Sequence, residues 1–510
     1  MTKMIKIKTV SGWNWWLAII LLIISITTIE ILGLFQQTQS DTNLYQFNVF
    51  SFLHARRIIR YEQPSAELIK RISAVYDASH KDESLIPKSC RGSDIVMIDD
   101  VPFHPYWQGE IGKYAFHPMG LGGFLSHLDC DEPVARYIDA AMGMAHKLPN
   151  GGLLWYYPDN YKLNRFLGPD LSPSAVGQSQ ILGAITSLDK RCRLSLSKIA
   201  RRVFLGLSYD YYKGGVNLEN KALLEIPLFH SAPEIILNGW LHALLNLRNY
   251  VEQYQDPQAK ELLYSNLKFL AESLGNFHDE KTGLSLYSDL SPYRVRVYHK
   301  SGISSHLTAF YKARIKGFDD LAFDLKVIQH KTRSPYDNQI IRQTKSFTDV
   351  WISCSKNYET YLVSDVPIRV RFYTGEYSPH RSAPGKGGER IELESTEVDG
   401  YHVVHITAVR DKLFCGYPTN FSKMGENYYH TYHVVALAAL LASVDMPSKM
   451  RASLKVWMEK WINTIETFNS SQGLVFSSYE KILRDLNAHE VFTFYDDWET
   501  LLRMARETCR

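Results

Sequence analysis

The sequence predicts an α+β protein: an incomplete α/α toroid of helical hairpins, then an antiparallel β-sandwich-like domain, behind one N-terminal transmembrane helix. Three observations lead to this fold class. A predominantly apolar run occupies residues 13–35. Apolar residues recur at helical spacing from about Pro133 to Asp324. After about Ile328, β-branched and aromatic residues dominate and often alternate with polar ones.

The N-terminal segment has the pattern of a membrane anchor. Lys3, Lys6 and Lys8 precede the apolar run, which is long enough to cross a bilayer with some tilt. Because the positive flank is N-terminal, the positive-inside rule places residues 1–12 in the cytosol. The rest of the chain is then expected outside, in a periplasm, at the cell exterior or in the Golgi lumen. A cleaved signal peptide is the alternative, although no good small-x-small cleavage site follows the run.

The middle of the chain is predicted to be helical. Serial helical hairpins of this kind suit an incomplete toroid, which presents a loop-lined cleft at one end. The loops between the segments are rich in Gly, Pro and Asp. Helices are expected over Val134–Lys147, Ser174–Leu188, Ile235–Glu252, Ala259–Leu274 and Ser304–Ile315.

The remainder of the chain is predicted to contain strands followed by helices. Strands are expected over Thr348–Cys354, Thr360–Val363, Ile368–Tyr373, Arg390–Leu393 and His402–Ala408. Helices return over Tyr432–Ser443, Lys449–Phe468 and Tyr479–Leu486. The predicted domains are a cytoplasmic tail (1–12), a transmembrane anchor (13–35), a stem with a helical lead-in (36–95), an α/α catalytic domain (96–330), a β domain (331–427) and C-terminal helices (428–510).

Composition excludes some classes of function. The 510 residues carry a formal net charge of +3, too close to neutral to suggest a nucleic-acid binder, although a local basic groove could still bind a polyanionic glycan. The 31 tyrosines and 10 tryptophans fit either a Tyr-rich core and surface or a sugar-binding cleft. The 6 cysteines are scattered without a CxxC pair, which supports neither a zinc site nor a redox motif and leaves disulfides open.

Two segments of the chain contain candidate site residues, and a third segment, described next, contains the most. The polar-aromatic stretch 155–180 contains Tyr157 and opens a helix with Gln178 and Gln180 in its first turns. In the stretch 224–239, Pro227 makes a helix unlikely at Glu225, which is therefore expected on an extended or turn segment. A helix is expected to begin around Glu234. The Asn238-Gly239 step inside that helix costs helical stability and indicates close packing.

The third segment, 283–306, concentrates Tyr and basic residues. If this stretch is extended, Arg294, Arg296 and Tyr298 share one face. Tyr287 precedes them and His299 follows them directly. A solvated polar loop is the simpler interpretation of these residues taken alone.

In this order and spacing, the three segments resemble the C-terminal catalytic domain of the D-glucuronyl C5-epimerases of heparan sulfate biosynthesis. The matching features are the Gly-Gln-Ser-Gln helix start at 177–180, a Glu before Pro and then Leu-Asn-Gly, a Tyr after Thr-Gly, and a Tyr-His eleven residues later. The stretch 105–128 also resembles the approach to that domain. The resemblance covers roughly residues 95–330, and its weight comes from collinearity because each motif is short.

The resemblance implies roles for particular residues. The acidic base of the family falls on Glu225, and its two catalytic tyrosines fall on Tyr287 and Tyr298. This chain departs from the family at Ile226, where the family has tyrosine, and in the spacing from Pro227 to Leu237, which is two residues longer. The family's arginine after the first tyrosine has no counterpart at the matching place. The family also carries its β domain before the helices rather than after them.

The residue types suit inversion at C5 of a uronate. The C5 proton is α to a carboxylate, so its removal needs a base on one face, charge neutralisation and a proton donor on the other face. Glu225 is the expected base, and burial against its apolar neighbours would raise its pKa. Tyr298 is the expected acid of the opposite face, with Tyr287 orienting the sugar or assisting the proton transfer. Substrate binding is expected from Arg294 and Arg296 at the carboxylate and from His299, Gln178, Gln180, Asn238 and Tyr157.

The resulting prediction is a membrane-anchored epimerase that converts D-glucuronate to L-iduronate within an anionic polysaccharide. No metal, cofactor or nucleic-acid partner is expected, and a homodimer is left open. Two other functions remain. A uronate polysaccharide lyase would abstract the same proton and expel the C4 substituent. A non-catalytic glycan-binding protein would need no such chemistry.

Overall fold

The computed structural model describes residues 47–57, 64–105, 112–158, 171–227, 231–299, 306–327, 339–374, 389–413, 415–419, 426–468, 475–488 and 497–507. The chain divides into two units, Met1–Phe50 and Ser51–Arg510, and the second contains both the helical part and the large sheets. The predicted tail and anchor, 1–35, lie outside the described residues. Within the part that is described, no helix is long and apolar enough to cross a membrane.

The molecule mixes helix and sheet, as an α+β protein should. The helices are α1 (Val49–His54), α2 (Ala66–Ile72), α3 (Pro118–Ser126), α4 (Val134–Met142), α5 (Ala175–Cys192), α6 (Ser197–Leu207), α7 (Leu237–Tyr254), α8 (Pro257–Ser273), α9 (Tyr428–Ser443), α10 (Ser448–Thr467), α11 (Tyr479–Ala488) and α12 (Trp498–Arg506).

The strands are short before residue 280 and longer after it. The early strands are β1 (Val75–Asp77), β2 (Val96–Ile98), β3 (Val101–Pro105), β4 (Lys113–Phe116), β5 (His146–Lys147), β6 (Leu153–Leu154), β7 (Tyr156–Tyr157), β8 (Ser172–Pro173), β9 (Asn217–Leu218) and β10 (Ala222–Leu223). The later strands are β11 (Leu286–Ser288), β12 (Leu290–His299), β13 (Leu307–Ala313), β14 (Leu321–Asp324), β15 (Lys326–Val327), β16 (Gln339–Gln343), β17 (Phe347–Ser355), β18 (Tyr358–Ser364), β19 (Ile368–Tyr373), β20 (Arg390–Glu394), β21 (Thr396–Val398), β22 (Tyr401–His405), β23 (Tyr417–Pro418), β24 (Glu426–Asn427) and β25 (Val475–Phe476).

Three helices, α5, α7 and α9, run parallel to one another. Near their first turns, His242 Nε2 of α7 lies 2.8 Å from Gln180 Oε1 of α5, and His242 Nδ1 lies 3.2 Å from the Tyr432 hydroxyl of α9. Farther along, Arg248 Nε of α7 donates to the Ser443 carbonyl at the end of α9 at 3.4 Å, and the Tyr254 hydroxyl at the end of α7 donates to Asp189 Oδ2 of α5 at 2.6 Å. Because contacts follow the same order along each helix, the three N-termini lie at one end of the layer.

A fourth helix extends this layer. α3 runs parallel to α5, since Pro118 packs beside Gly177 at its start and Arg191 Nη2 donates to the Ser126 carbonyl at 3.1 Å near its end. α6 and α8 run in the opposite direction. The Gln178 amide at the start of α5 donates to the Val203 carbonyl in the second half of α6 at 2.8 Å, and Trp240 Nε1 at the start of α7 donates to Asn266 Oδ1 in the second half of α8 at 2.9 Å. The helical part therefore has a layer of parallel helices with others packed against it.

The later strands form two larger sheets, one of six strands in the order β15-β16-β17-β12-β19-β20 and one of five in the order β14-β13-β18-β22-β21. Most neighbours are antiparallel, as predicted, although β15 and β16 pair in parallel. The sheets meet where the Ser353 amide of β17 donates to the Tyr311 hydroxyl of β13 at 3.1 Å. These later strands begin at Leu286, inside the range 96–330 that the sequence assigned to helices.

One predicted helical segment is wrong, and one helix begins later than predicted. The stretch predicted as the helix Ser304–Ile315 contains strand β13 instead. Residues 307–311 are all buried, so the strand lacks the alternation that would distinguish it from a helix. Glu234 also precedes its helix, because α7 begins at Leu237 after the extended residue Ile236. The β12 segment, in contrast, is extended as the alternation of Arg294, Arg296 and Tyr298 suggested.

Two disulfides, which the sequence left open, hold parts of the fold together. Cys130, after α3, pairs with Cys192 at the end of α5, with 5.3 Å between the Cα atoms. Cys354 of β17 pairs with Cys415, just before β23, with 5.2 Å between the Cα atoms. Cys90 is buried as a free thiol.

Candidate active site

Glu225 is held at the end of a small hairpin beside the start of α5. The hairpin pairs β9 with β10, and the Leu224 amide then donates to the Val216 carbonyl at 2.8 Å. The Leu224 carbonyl accepts the Ala175 amide at 3.0 Å. Leu224 and Ile226 are buried while Glu225 between them is partly exposed. The apolar neighbours thus anchor the segment, and the carboxylate stays accessible.

The first turn of α7 closes tightly on Glu225. The Asn238 amide nitrogen donates to Glu225 Oε2 at 3.4 Å. A Cβ added at Gly239 would lie 2.6 Å from the Glu225 Cβ and closer still to Oε2. The prediction of close packing at Asn238-Gly239 is confirmed, because only glycine leaves room for this side chain.

Tyr287 contacts the Glu225 carboxylate from a distant segment of the chain. Its hydroxyl donates to Glu225 Oε1 at 3.5 Å, although the two residues are 62 positions apart. A bridge between Ser288 and Ile236 holds β11 against the start of α7. The structure therefore brings Glu225, Tyr287 and Asn238 together, three residues predicted to belong to one site.

Tyrosines from α9 line the same place. The Tyr429 ring meets the Tyr287 ring edge to face, with 4.8 Å between centroids. Tyr432 is buried, and burial, Tyr428 and the charge of Glu225 raise its pKa well above the ordinary value. Sequence reasoning missed Tyr429 and Tyr432, which lie about 140 residues beyond Tyr287. The signal was the Tyr/His-rich run at 428–433, the same kind of composition that marked residues 283–306.

Helix N-termini surround this group of side chains. Ser174 caps α5 by accepting the Gly177 amide, and Asn427 caps α9 by accepting the His430 amide. Together with the start of α7, these termini direct the positive ends of three helix dipoles toward one end of the layer. The electrostatics at this end favour an anionic ligand.

Gln178 and Gln180 do not face the site as predicted. Gln178 is 1% exposed, and its amide nitrogen donates to the Leu153 and Val203 carbonyls at 2.7 and 2.8 Å. Gln180 is 0% exposed, and its oxygen contacts His242. Both side-chain amides make hydrogen bonds between segments of the fold, since a buried amide needs partners inside the protein. This corrects their expected role at a substrate.

Tyr157 lies at the same end of the helical layer but is 4% exposed. It pairs with Ser172 on β8, two residues before the cap of α5. Its ring meets the buried His117 ring, with 5.0 Å between centroids. Burial lowers the pKa of His117 to about 3, so this imidazole stays neutral. Tyr157 packs within the wall beside the start of α5.

The basic residues of β12 lie elsewhere. Tyr298 is eight positions beyond Leu290 on an extended strand, about 26 Å along it at the usual rise. The Arg369 and Arg371 guanidiniums lie 4.9 and 5.2 Å from its ring centroid. Arg296 Nε donates to Asp349 Oδ1 at 2.7 Å. The structure does not bring Tyr298 to Glu225, and its predicted role as the opposite-face acid stays a prediction that this strand geometry does not favour.

The other two predicted binding residues of β12 have protein partners. Arg294 Nη2 donates to Asp349 Oδ2 at 2.8 Å. His299 Nε2 lies 2.8 Å from the Thr348 hydroxyl, and burial lowers the pKa of this imidazole. Both residues belong to the sheet rather than to the surroundings of Glu225.

Among the described residues, no group of three or more His, Cys, Asp or Glu side chains is placed to hold a metal ion. Comparison of the chain with models of known protein families gave no match. Comparison with curated protein sequences gave no match either.

Proposed function

We propose that this chain removes the C5 proton of a uronate residue within an anionic polysaccharide, and that it acts as a C5-epimerase converting D-glucuronate to L-iduronate. The observation that carries the proposal is the contact of Glu225 with Tyr287 at 3.5 Å, beside Asn238 and the N-termini of α5, α7 and α9. The collinear motifs at 177–180, 225–239 and 287–299 support the same reaction.

The chemistry follows from these residue types. The Glu225 carboxylate takes the C5 proton, and the positive helix ends stabilise the negative charge that develops at the sugar carboxylate. The Tyr287 phenol donates to the same glutamate, so it sets the orientation of the base and can relay its proton. The Asn238 amide holds the second carboxylate oxygen. No other group is required for the first half of the reaction.

Inversion also needs a proton donor on the opposite face of the sugar. A carboxylate and a phenol in direct contact occupy one side of a bound ring, so the second face needs a further residue. Tyr429 is the candidate, because it is a second partly exposed phenol beside the Glu225–Tyr287 pair, with 4.8 Å between its ring centroid and that of Tyr287. We assign this role to Tyr429 in preference to Tyr298.

A uronate lyase is the second candidate, and the same contact favours it. Elimination needs a base at C5 and an acid at the oxygen on C4, and C4 and C5 are bonded neighbours. Glu225 and Tyr287 on one side of the ring could serve both. The two outcomes differ in product, because only the lyase leaves a C4–C5 double bond that absorbs ultraviolet light.

The location and architecture form part of the same proposal. The two disulfides support an oxidising, extracytoplasmic compartment. The apolar run at 13–35 is proposed as the membrane anchor, with residues 1–12 cytoplasmic. The parallel helices α3, α5, α7 and α9, with α6 and α8 returning beside them, support the incomplete α/α toroid.

Deuterium exchange tests the proposed function. The protein is incubated with an unsulfated glucuronate polymer in deuterated water, and C5 labelling and inversion are followed by NMR. Label uptake with iduronate and without ultraviolet absorbance supports the epimerase, whereas absorbance identifies the lyase. Glu225→Gln should lower the rate by at least about a hundredfold, since it removes the base. Glu252→Gln, which neutralises an exposed carboxylate on α7, is the matched control.

Absence of C5 exchange on all uronate polymers would refute the proposal. Retention of full exchange in Glu225→Gln would refute the assignment of the base.

A further inference from the structure

The outer face of the six-stranded sheet is separate from the Glu225 site and has an unusual composition. Residues alternate along β12 and β19. Val295, Val297 and Val370 are buried, while their neighbours Arg296, Arg369 and Arg371 are accessible. The register places Arg296 between Arg371 and Asp349 on this outer face. We call the following residues the arginine face: Arg294, Arg296, Tyr298, Arg342, Phe347, Asp349, Trp351, Arg369, Arg371, Tyr373, Arg390, Glu392 and Glu394.

The charge of the arginine face is strongly positive. On the described strands β16, β17, β12, β19 and β20, it carries six arginines against three carboxylates. Asp349 is 1% exposed on its side chain, while Arg294 remains 41% and Arg390 54% exposed. The acids are thus covered or outnumbered, and the guanidiniums reach solvent. The chain as a whole has a formal net charge of only +3, so this surplus is a local feature.

Aromatic rings lie among these arginines. The Arg296 guanidinium lies 4.1 Å from the Phe347 ring centroid, and Arg369 lies 4.9 Å from that of Tyr298. Stacking on rings holds guanidiniums in place without itself using N–H donors. Arg296 already donates to Asp349, and Arg369 lies 3.7 Å from a Glu392 oxygen, so the donors left for a ligand are those outside these pairs. Tyr373 is 40% exposed and offers an apolar face.

Asp349 supports this arrangement from beneath. It accepts hydrogen bonds from both Arg294 and Arg296. Burial alone would raise the pKa of this carboxyl, but the two arginines outweigh that effect and hold it below the usual value. Asp349 therefore stays ionised and fixes two guanidiniums side by side, which preorganises them for a planar anion.

We infer that the arginine face binds the anionic polysaccharide at sugars remote from the reacting one. This inference rests on the proposed function. It moves Tyr298 from catalysis, and Arg294 and Arg296 from the carboxylate of the reacting sugar, to binding of the polymer. The occupant is an acidic polysaccharide because its spaced carboxylates match forked guanidiniums, and its sugar rings stack on exposed aromatic residues. On β12 the arginine face begins at Arg294. This residue lies four positions, or about 13 Å, along the strand from Leu290, the end that is nearer to the helical part.

Direct binding tests this inference. The full chain is titrated by affinity electrophoresis with an unsulfated glucuronate polymer, with a neutral glucan of equal length and with a single-stranded DNA oligomer. The variant Arg369→Gln/Arg371→Gln/Arg390→Gln removes three solvent-accessible charges and leaves Asp349 paired with Arg294 and Arg296. We expect about tenfold weaker binding of the glucuronate polymer and a shallower dependence on salt.

Controls separate a specific face from net charge and from misfolding. Arg136→Gln/Arg193→Gln/Arg503→Gln removes the same charge from exposed positions of the helical part and should bind the polymer as wild type does. Thermal unfolding followed by circular dichroism establishes that both triple variants are folded. Tyr298→Ala should weaken binding of the polymer, and Tyr298→Phe, which keeps the aromatic face, should restore it.

Equal affinities of the two triple variants would overturn the inference, as would tighter binding of DNA than of the glucuronate polymer. Loss of C5 exchange in Tyr298→Phe with binding intact would return that tyrosine to catalysis. Binding is measured without any reaction taking place. A chain that binds the polymer through the arginine face but never exchanges C5 would therefore refute the proposed function and not the inference about binding.

Discussion

At the scale of single residues, the site depends on the missing side chain of Gly239 as much as on the charge of Glu225. Inside a helix, glycine costs up to about 1 kcal/mol relative to alanine. This chain has glycine in the first turn of α7, at Gly239, where the Glu225 side chain occupies the space of a Cβ. Sequence spacing indicated the tight approach but could not identify Glu225 as the side chain that requires it.

Gly239→Ala should therefore lower activity even though alanine favours helix. The added methyl group must displace Glu225, and a misplacement of about 1 Å can lower turnover up to about a hundredfold. C5 exchange is the measurement. Gly275→Ala is the control, since its Cβ would meet only the Trp457 ring at 3.2 Å, and it should leave exchange unchanged. A Gly239→Ala protein with wild-type exchange would contradict this account of the packing.

At the scale of elements, parallel packing of α5, α7 and α9 assembles the site, and a disulfide fixes the far end of that layer. Cys192 ends α5, and Cys130 follows α3, 62 positions earlier. Arg191 donates to the Ser126 and Leu128 carbonyls beside this link. The bond therefore joins two parallel helices at the end opposite Glu225.

Replacing Cys130 and Cys192 with serine should reduce stability more than activity. Closing a loop of this length restricts the unfolded chain, and its loss should cost about 4 kcal/mol of unfolding free energy. Urea denaturation of the variant and the wild type measures this difference. C5 exchange at low urea should persist, because the Glu225 end is remote. An unchanged free energy of unfolding would show that this disulfide does not restrict the unfolded chain.

At the scale of the whole molecule, Asp289 joins the helical part to the sheets. Its Oδ1 accepts the Ile235 amide, just before α7, at 2.8 Å. Its Oδ2 accepts the Ser355 hydroxyl at 3.2 Å and the Asn357 amide at the turn between β17 and β18. Asp289 lies two residues from Tyr287, so this junction also positions β11. Burial first, and then the charge of Glu234, raise the pKa of Asp289 to about 7.

This raised pKa predicts a pH-dependent stability. Between the unfolded value of 3.8 and the folded value of about 7, the folded protein holds a proton that the unfolded chain has released. The stabilising contribution of Asp289 is complete below the unfolded pKa and is lost as pH rises through the folded one, by up to about 4 kcal/mol. Asp289→Asn, which cannot ionise, should lack this loss.

Unfolding free energies of the wild type and Asp289→Asn across pH 4 to 7 are the measurement, and the variant should gain on the wild type as pH rises. Asp139→Asn on the exposed face of α4 should follow the wild type. Parallel profiles for Asp289→Asn and the wild type would show that this carboxyl titrates normally.

The sequence alone determined the features that depend on neighbours along the chain. Apolar residues at helical spacing located α5, α7, α8, α9, α10 and α11, whereas α12 was not predicted. Alternation located β19 and β20, where one face meets water and the other the core. The Pro227 and Asn238-Gly239 steps marked the segments around Glu225, since backbone restrictions are local.

Only the tertiary structure decided which distant residues meet. Tyr287 reaches Glu225 while Tyr298 does not, although both lie in one tyrosine-rich segment, because a strand carries the second away from the helices. Tyr429, which follows the β sheets in the chain, joins the site because α9 packs back against α7. β13 defeated periodicity because both of its faces are buried. Contacts between remote segments are set by packing and sheet register, and neither leaves a periodic trace in the chain.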